Sequence, residues 1–152
     1  MPPNALEFRE VLREYTITSP PPYFSQVEDN LLLIDIEGAE YSILNEISVD
    51  ELNAFHQITI EFHDIFSHLV LNFFELIEIL KKLKTFHELI SIHGNNYGAS
   101  LLNPTTKQRY PNVLEMTWVR KCDMNFMDGV NSLEHPLNKP NNPLKEDFTL
   151  YW

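Results

Sequence analysis

The chain of 152 residues is short of cysteine, glycine and basic side chains. Its single thiol, Cys122, cannot close an internal disulfide, and with no CxxC pair there is no thiolate metal site. A reducing compartment is the expectation that follows. Only 11 Lys and Arg stand against 22 Asp and Glu, a net charge of −11. So acidic a chain is disfavoured on nucleic acid and on anionic membrane, which both reward basic surface. Its one basic cluster, Lys81, Lys82 and Lys84, lies at the end of a predicted helix and reads as a solvated helix end. No apolar run approaches the roughly 18 residues of a membrane span. The N-terminal MPPNALEFREVLREY is charged and amphipathic, without the apolar centre of a signal peptide. A soluble, cytoplasmic protein is expected. Of four glycines none precedes Gly38 and no GxG occurs, so no glycine-rich phosphate loop is present. GxSxG, HExxH and EF-hand patterns are also missing.

What is there is enough for one domain with a real core: 43% of the residues are hydrophobic. The organising stretch is LLLIDIEGAEYSIL, Leu31 to Leu44. Its apolar run reads as a buried strand, Gly38 permits a sharp turn, and a helix starts at Ala39. Before it, residues 4–15 are helix-spaced and Pro20, Pro21 and Pro22 form a stiff linker. After it, Ser48 and Glu51 form a capping-box pattern that opens a short helix. QITIEF (57–62) is a second strand. A longer helix spans about 71–83, with an apolar stripe of Phe73, Leu76, Ile77, Leu80 and Leu83. HELISI (87–92) and VLEMTWV (113–119) are the last two strands, with a turn at Asn103-Pro104 between them. Residues 122–152, rich in Pro and Asn, should be irregular and laid over the surface. Strands alternating with helices imply a parallel α/β sheet, and the helix-free link between the last two strands makes those two antiparallel. The expected architecture is a mixed sheet of about four strands, with 31–35 and 57–62 adjacent and parallel.

The chemistry gathers at strand ends. Parallel strands would bring Asp35 and Glu37, then Glu61, His63 and Asp64, then His93, Asn95 and Asn96 to the carboxyl edge, where open α/β sheets place ligands. Strand alternation puts Asp35 and Glu37 on one face. Glu37 and Glu40 have a plainer reading, as acids complementing the dipole of the next helix. Asp35 lies further back, where the dipole explains its charge less well. Carboxylates beside an imidazole suit a general base or a divalent cation, with Asp35, His63 and His93 as the candidate ligands. The plainer reading of His63 and His93 is local capping by backbone groups.

LLLIDIEGAEYSIL, QITIEFH, HGNNYG and PNVLEMTWVRK together resemble the carboxyl half of the FkbM-like S-adenosylmethionine-dependent methyltransferases. The likeness runs over residues 31–121, flanked by the helix and Pro-rich linker of 1–30 and the tail of 122–152. It implies a partial class I methyltransferase sheet, Rossmann-like, in which 31–34 and 57–62 are the fourth and fifth strands and a C-terminal antiparallel pair closes the sheet. It implies O-methyl transfer to a small molecule or sugar, with S-adenosylmethionine edged by Asp35, Glu37 and Gly38. His63 or Asp35 would be the base and Glu61 its orienting partner. The glycine-rich loop and ribose acid of such enzymes are absent from this sequence, so the first half of the fold is expected to be missing and cofactor binding weak or absent. A non-catalytic remnant that pairs with a partner or binds a metal or ligand is the alternative. Either way, Leu31 to Ile34 would be a sheet edge, and a homodimer or a partner subunit is expected there; the alternative is that residues 16–27 fold back as a short covering strand.

Overall fold

A computed structural model describes residues 30–125 and 139–150. The expected helix at 4–15, the linker after it, the alternative covering strand at 16–27, and residues 126–138 and 151–152 of the tail lie outside the described residues. Strand β1 is Leu31–Ile34 and β2 is Gln57–Phe62; they pair in parallel, with Leu32 opposite Ile58 and Ile34 opposite Ile60. Between them run helices α1 (Glu40–Glu46) and α2 (Val49–Asn53). The capping box at α2 is present: the Ser48 hydroxyl accepts from the Glu51 amide, and the Glu51 carboxylate accepts from the Ser48 amide.

After β2 come α3 (Ile65–Leu71), α4 (Phe73–Phe86) and β3 (His87–Gly94). A hairpin of β4 (Ser100–Leu102) and β5 (Arg109–Pro111) precedes β6 (Leu114–Arg120). The main sheet has the order β1-β2-β6-β3, with β6 antiparallel to both its neighbours. The protein is thus mixed α/β, with the expected parallel pair 31–34 and 57–62 and the expected antiparallel β3–β6 pairing. The separate β4–β5 pair turns at Asn103, where a loop alone was expected.

Alternation along the strands decides where the core sits. Leu32, Ile34, Ile58, Ile60, Phe62, Met116 and Trp118 form a buried cluster with Tyr41 and Leu44 of α1, Leu52 of α2 and Leu76, Ile79 and Leu83 of α4. The apolar stripe of α4 therefore runs through Ile79; Phe73 is exposed and Ile77 only half-buried. The opposite sheet face is more open. It carries Leu31 and Leu33, 59% and 68% exposed, the hydroxyls of Thr59 and Thr117, and Glu61 across from Glu115. The unbroken apolar run of β1 is thus buried on one face only among the described residues.

Lys82 departs from the solvated helix end expected of it. Its ammonium donates to the carbonyls of Leu44, Asn45 and Ile47, at 2.7, 2.8 and 3.0 Å. It closes the carboxyl end of α1, where carbonyls lack helical partners.

Candidate functional site

The site is built on two strand ends. After β1 the chain reverses through Glu37 (φ 54°) and Gly38 (φ 103°), and the Ala39 amide donates to the Ile36 carbonyl at 3.3 Å. Two successive left-handed residues make this a tight primed turn, natural for glycine and uncommon for Glu. Asp64, after β2, is also left-handed, with φ 51°. Because the strand ends at Ile34, Glu37 owes its direction to this turn and not to strand alternation.

Behind the turn lies Glu40, the first residue of α1, with no solvent exposure. Its Oε1 accepts from the amides of Ile36 and Gly38, each at 3.2 Å, and from His63 Nδ1 at 2.8 Å. Its Oε2 has no hydrogen-bond partner among the described residues. The His63 carbonyl accepts from the Tyr41 hydroxyl at 2.8 Å. Burial, with the charges of Glu40, Asp64 and Glu75, pushes the Tyr41 hydroxyl well up, so it stays a donor. His63 is held at the ring by Glu40 and at the backbone by Tyr41.

The other ring nitrogen faces acids. Nε2 of His63 lies 3.5 Å from Glu37 Oε2, 3.6 Å from Glu61 Oε2 and 3.9 Å from Asp35 Oδ1. Glu61 Oε1 accepts from Asn95 Nδ2 at 2.6 Å, so the loop after β3 contributes as well. Burial alone would lower the His63 pKa; the Glu40 hydrogen bond and charge, with Glu61 and Glu37, outweigh it and raise it. The Glu61 carboxyl is raised by burial and by Asp35, against the Asn95 hydrogen bond.

The structure therefore brings together Asp35, Glu37, Glu61 and His63 of the expected residues. It makes Glu40 the partner that orients the imidazole, with Glu61 on the other nitrogen. Gly38 shapes the turn, and its amide is taken by Glu40. His93 stands elsewhere: Glu115 is 3.5 Å from its Nδ1, and Asp147 of the tail is 3.2 Å from its Nε2. It belongs to a clamp on the tail and not to the set around His63. Glu40 had a legible signal. It stands three and four residues before Ile43 and Leu44, on the buried stripe of α1.

Chemically, the arrangement offers an oriented imidazole nitrogen that can take a proton. It also offers three atoms, one each from Asp35, Glu61 and His63, within 4.8 Å of one another, a spacing that suits a divalent cation. A Cβ on Gly38 would meet open space, but the amide beside it is already bonded to Glu40. Gly94 is packed against Phe148 and Pro111, and Gly98 against Val113, so neither lends backbone to a nucleoside. Compared with known proteins, the chain matches no family model, no curated sequence and no solved structure.

Proposed function

We propose that this chain is the acceptor-side half of an FkbM-like, S-adenosylmethionine-dependent methyltransferase domain of class I type, acting on a hydroxyl of a small molecule or sugar. The observation that carries this is the meeting of Asp35, Glu61 and His63 at the carboxyl ends of two adjacent parallel strands. The antiparallel pairing of β3 with β6 agrees with the closing strand pair of such a sheet. S-adenosylmethionine would supply the methyl group, and no step of its transfer is assigned to the described residues.

The chain's own part is the acceptor's proton. A hydroxyl docked at this edge would give its proton to His63 Nε2 or to Asp35, the more exposed of the two, as its oxygen becomes nucleophilic. Glu40 fixes the ring and balances the charge that appears on it. The competing reading, a non-catalytic binding module, draws on the absence of a nucleoside cradle among the described glycines.

Titrating the labelled chain with S-adenosylhomocysteine by NMR separates the two. Weak, millimolar-range shifts confined to the amides of residues 35–39 and 61–64 are expected. No shift up to the solubility limit would overturn the methyltransferase reading.

A further inference from the structure

We infer that Asp35, Glu61 and Nε2 of His63 form a binding site for one divalent transition-metal ion. Two ligands each about 2.1 Å from one ion stand roughly 3.0–3.5 Å apart when adjacent. The observed separations from Nε2, 3.6 Å to Glu61 and 3.9 Å to Asp35, need an inward closing of only a few tenths of an ångström. Asp35 is half-exposed and free to make that adjustment, while His63 and Glu61 are largely buried and fixed. Glu37 Oε2, at 3.5 Å from the same nitrogen, is placed to complete the shell from the solvent side.

Glu40 supplies an independent reason. It is fully buried and aimed at the cluster through Oε1, yet its Oε2 has no partner among the described residues. Together with Asp35, Glu37 and Glu61 it makes four carboxylates around one imidazole. Among the described residues His63 is the only cationic side chain paired with any of the four. A buried carboxylate oxygen without a partner is costly, and a cation bound nearby offsets that cost. The contact from Nδ1 to Glu40 is also the arrangement that turns the lone pair of a metal-binding histidine toward its ion. One imidazole among oxygen ligands favours Mn²⁺ or Zn²⁺ over Mg²⁺ and Ca²⁺, which prefer all-oxygen shells.

Nothing here depends on methyl transfer, and the test uses no cofactor. Mn²⁺ is titrated into the full chain in physiological salt and followed by electron paramagnetic resonance. One saturable ion per chain is expected. Asp35→Asn and Glu61→Gln should each weaken it at least about tenfold, because each removes a ligand charge. Glu40→Gln, which leaves the ligands in place, should cost about 10–100-fold. Glu78→Gln removes an acid from the exposed side of α4, where it pairs with Lys81, and should change nothing. Circular dichroism checks folding; should Glu61→Gln not fold, Asp35→Asn decides. Absence of saturable binding, or affinity unchanged in the folded ligand variants, would overturn the site.

Discussion

A carboxylate with no solvent exposure and three donors on one oxygen needs every one of those donors, and Glu40 is such a group. Cutting it back to alanine strands the amides of Ile36 and Gly38 and frees the His63 ring. Glu40→Ala is expected to cost about 2–4 kcal/mol in urea unfolding, from unsatisfied donors together with the space left behind. Glu40→Gln keeps an accepting oxygen and removes the charge on the side that lacks a partner. It should stay within about 1 kcal/mol of the wild type. Equal losses in the two variants would mean that the charge, and not the accepting oxygen, holds the turn. The same residue marks how far the site could be read from sequence. Asp35, Glu61 and His63 end strands that were expected to be parallel neighbours, so their meeting followed from strand geometry. Glu40 looked like any first-turn acid. Only its register with Ile43 and Leu44 placed it inside, and that register competes with the ordinary preference of such acids for water.

Above the residue, the element that changes the picture is the tail. Residues 139–150 have no helix or strand of their own, as their Pro and Asn content implied, yet they are tied to the sheet. Asn96, 3% exposed, donates to the Asn142 carbonyl at 3.0 Å and accepts from the Asn142 amide at 2.6 Å. A Cβ on Gly94 would stand 2.8 Å from both Phe148 and Pro111. Gly94→Ala should therefore displace the tail and cost about 1–3 kcal/mol, read by unfolding and by loss of the Phe148 contacts in NMR. The His93 clamp adds a pH dependence. Hydrogen bonding to Glu115, opposed by burial and helped by Asp147, pushes its pKa up to about 9. A raised imidazole stabilises the fold fully below its usual 6.5 and loses that contribution as pH climbs through about 9. Glu115, lowered chiefly by His93, contributes above its usual 4.5 and loses that as pH falls through its lowered value. The clamp should be strongest between about 4.5 and 6.5. Urea midpoints compared at pH 6.5 and above pH 9 should show the loss, and His93→Gln should shrink it. Other elements were harder to foresee. Helix α3 is Ile-Phe-Ser-His-Leu-Val-Leu, with too little polar contrast to show a helical period, so periodicity located only the longer helix, expected from about 71 and observed from Phe73. The β4–β5 hairpin has strands of three residues, too short for alternation to register.

At the scale of the whole molecule, the main sheet has four strands among the described residues, with β1 at one end and β3 at the other. Calorimetry with S-adenosylmethionine should find no more than weak, millimolar-range binding, since no described glycine opens backbone to the nucleoside; micromolar affinity would contradict this. The strand order bears on assembly as well. Among the described residues strand β1 pairs on one side only, with β2, and ends the strand order. A strand so placed presents a row of backbone donors and acceptors to whatever arrives, and proteins usually blunt such an edge with charge or proline. Here the edge is Leu-Leu-Leu-Ile, with Leu31 and Leu33 exposed on the open sheet face. Nothing in those four residues repels a partner strand, and each exposed leucine that is covered contributes hydrophobic stabilisation of about 1.5–3 kcal/mol at most. Pairing at β1 between two copies would continue the sheet and cover both features together. Light scattering at low protein concentration should therefore give twice the chain mass of 17.8 kDa. Replacing Leu31 and Leu33 together by Lys sets like charges beside one another across the junction, leaves the inward Leu32 and Ile34 untouched, and should return the protein to 17.8 kDa. A wild-type monomer, or a dimer indifferent to both lysines, would show that β1 is not where the copies meet.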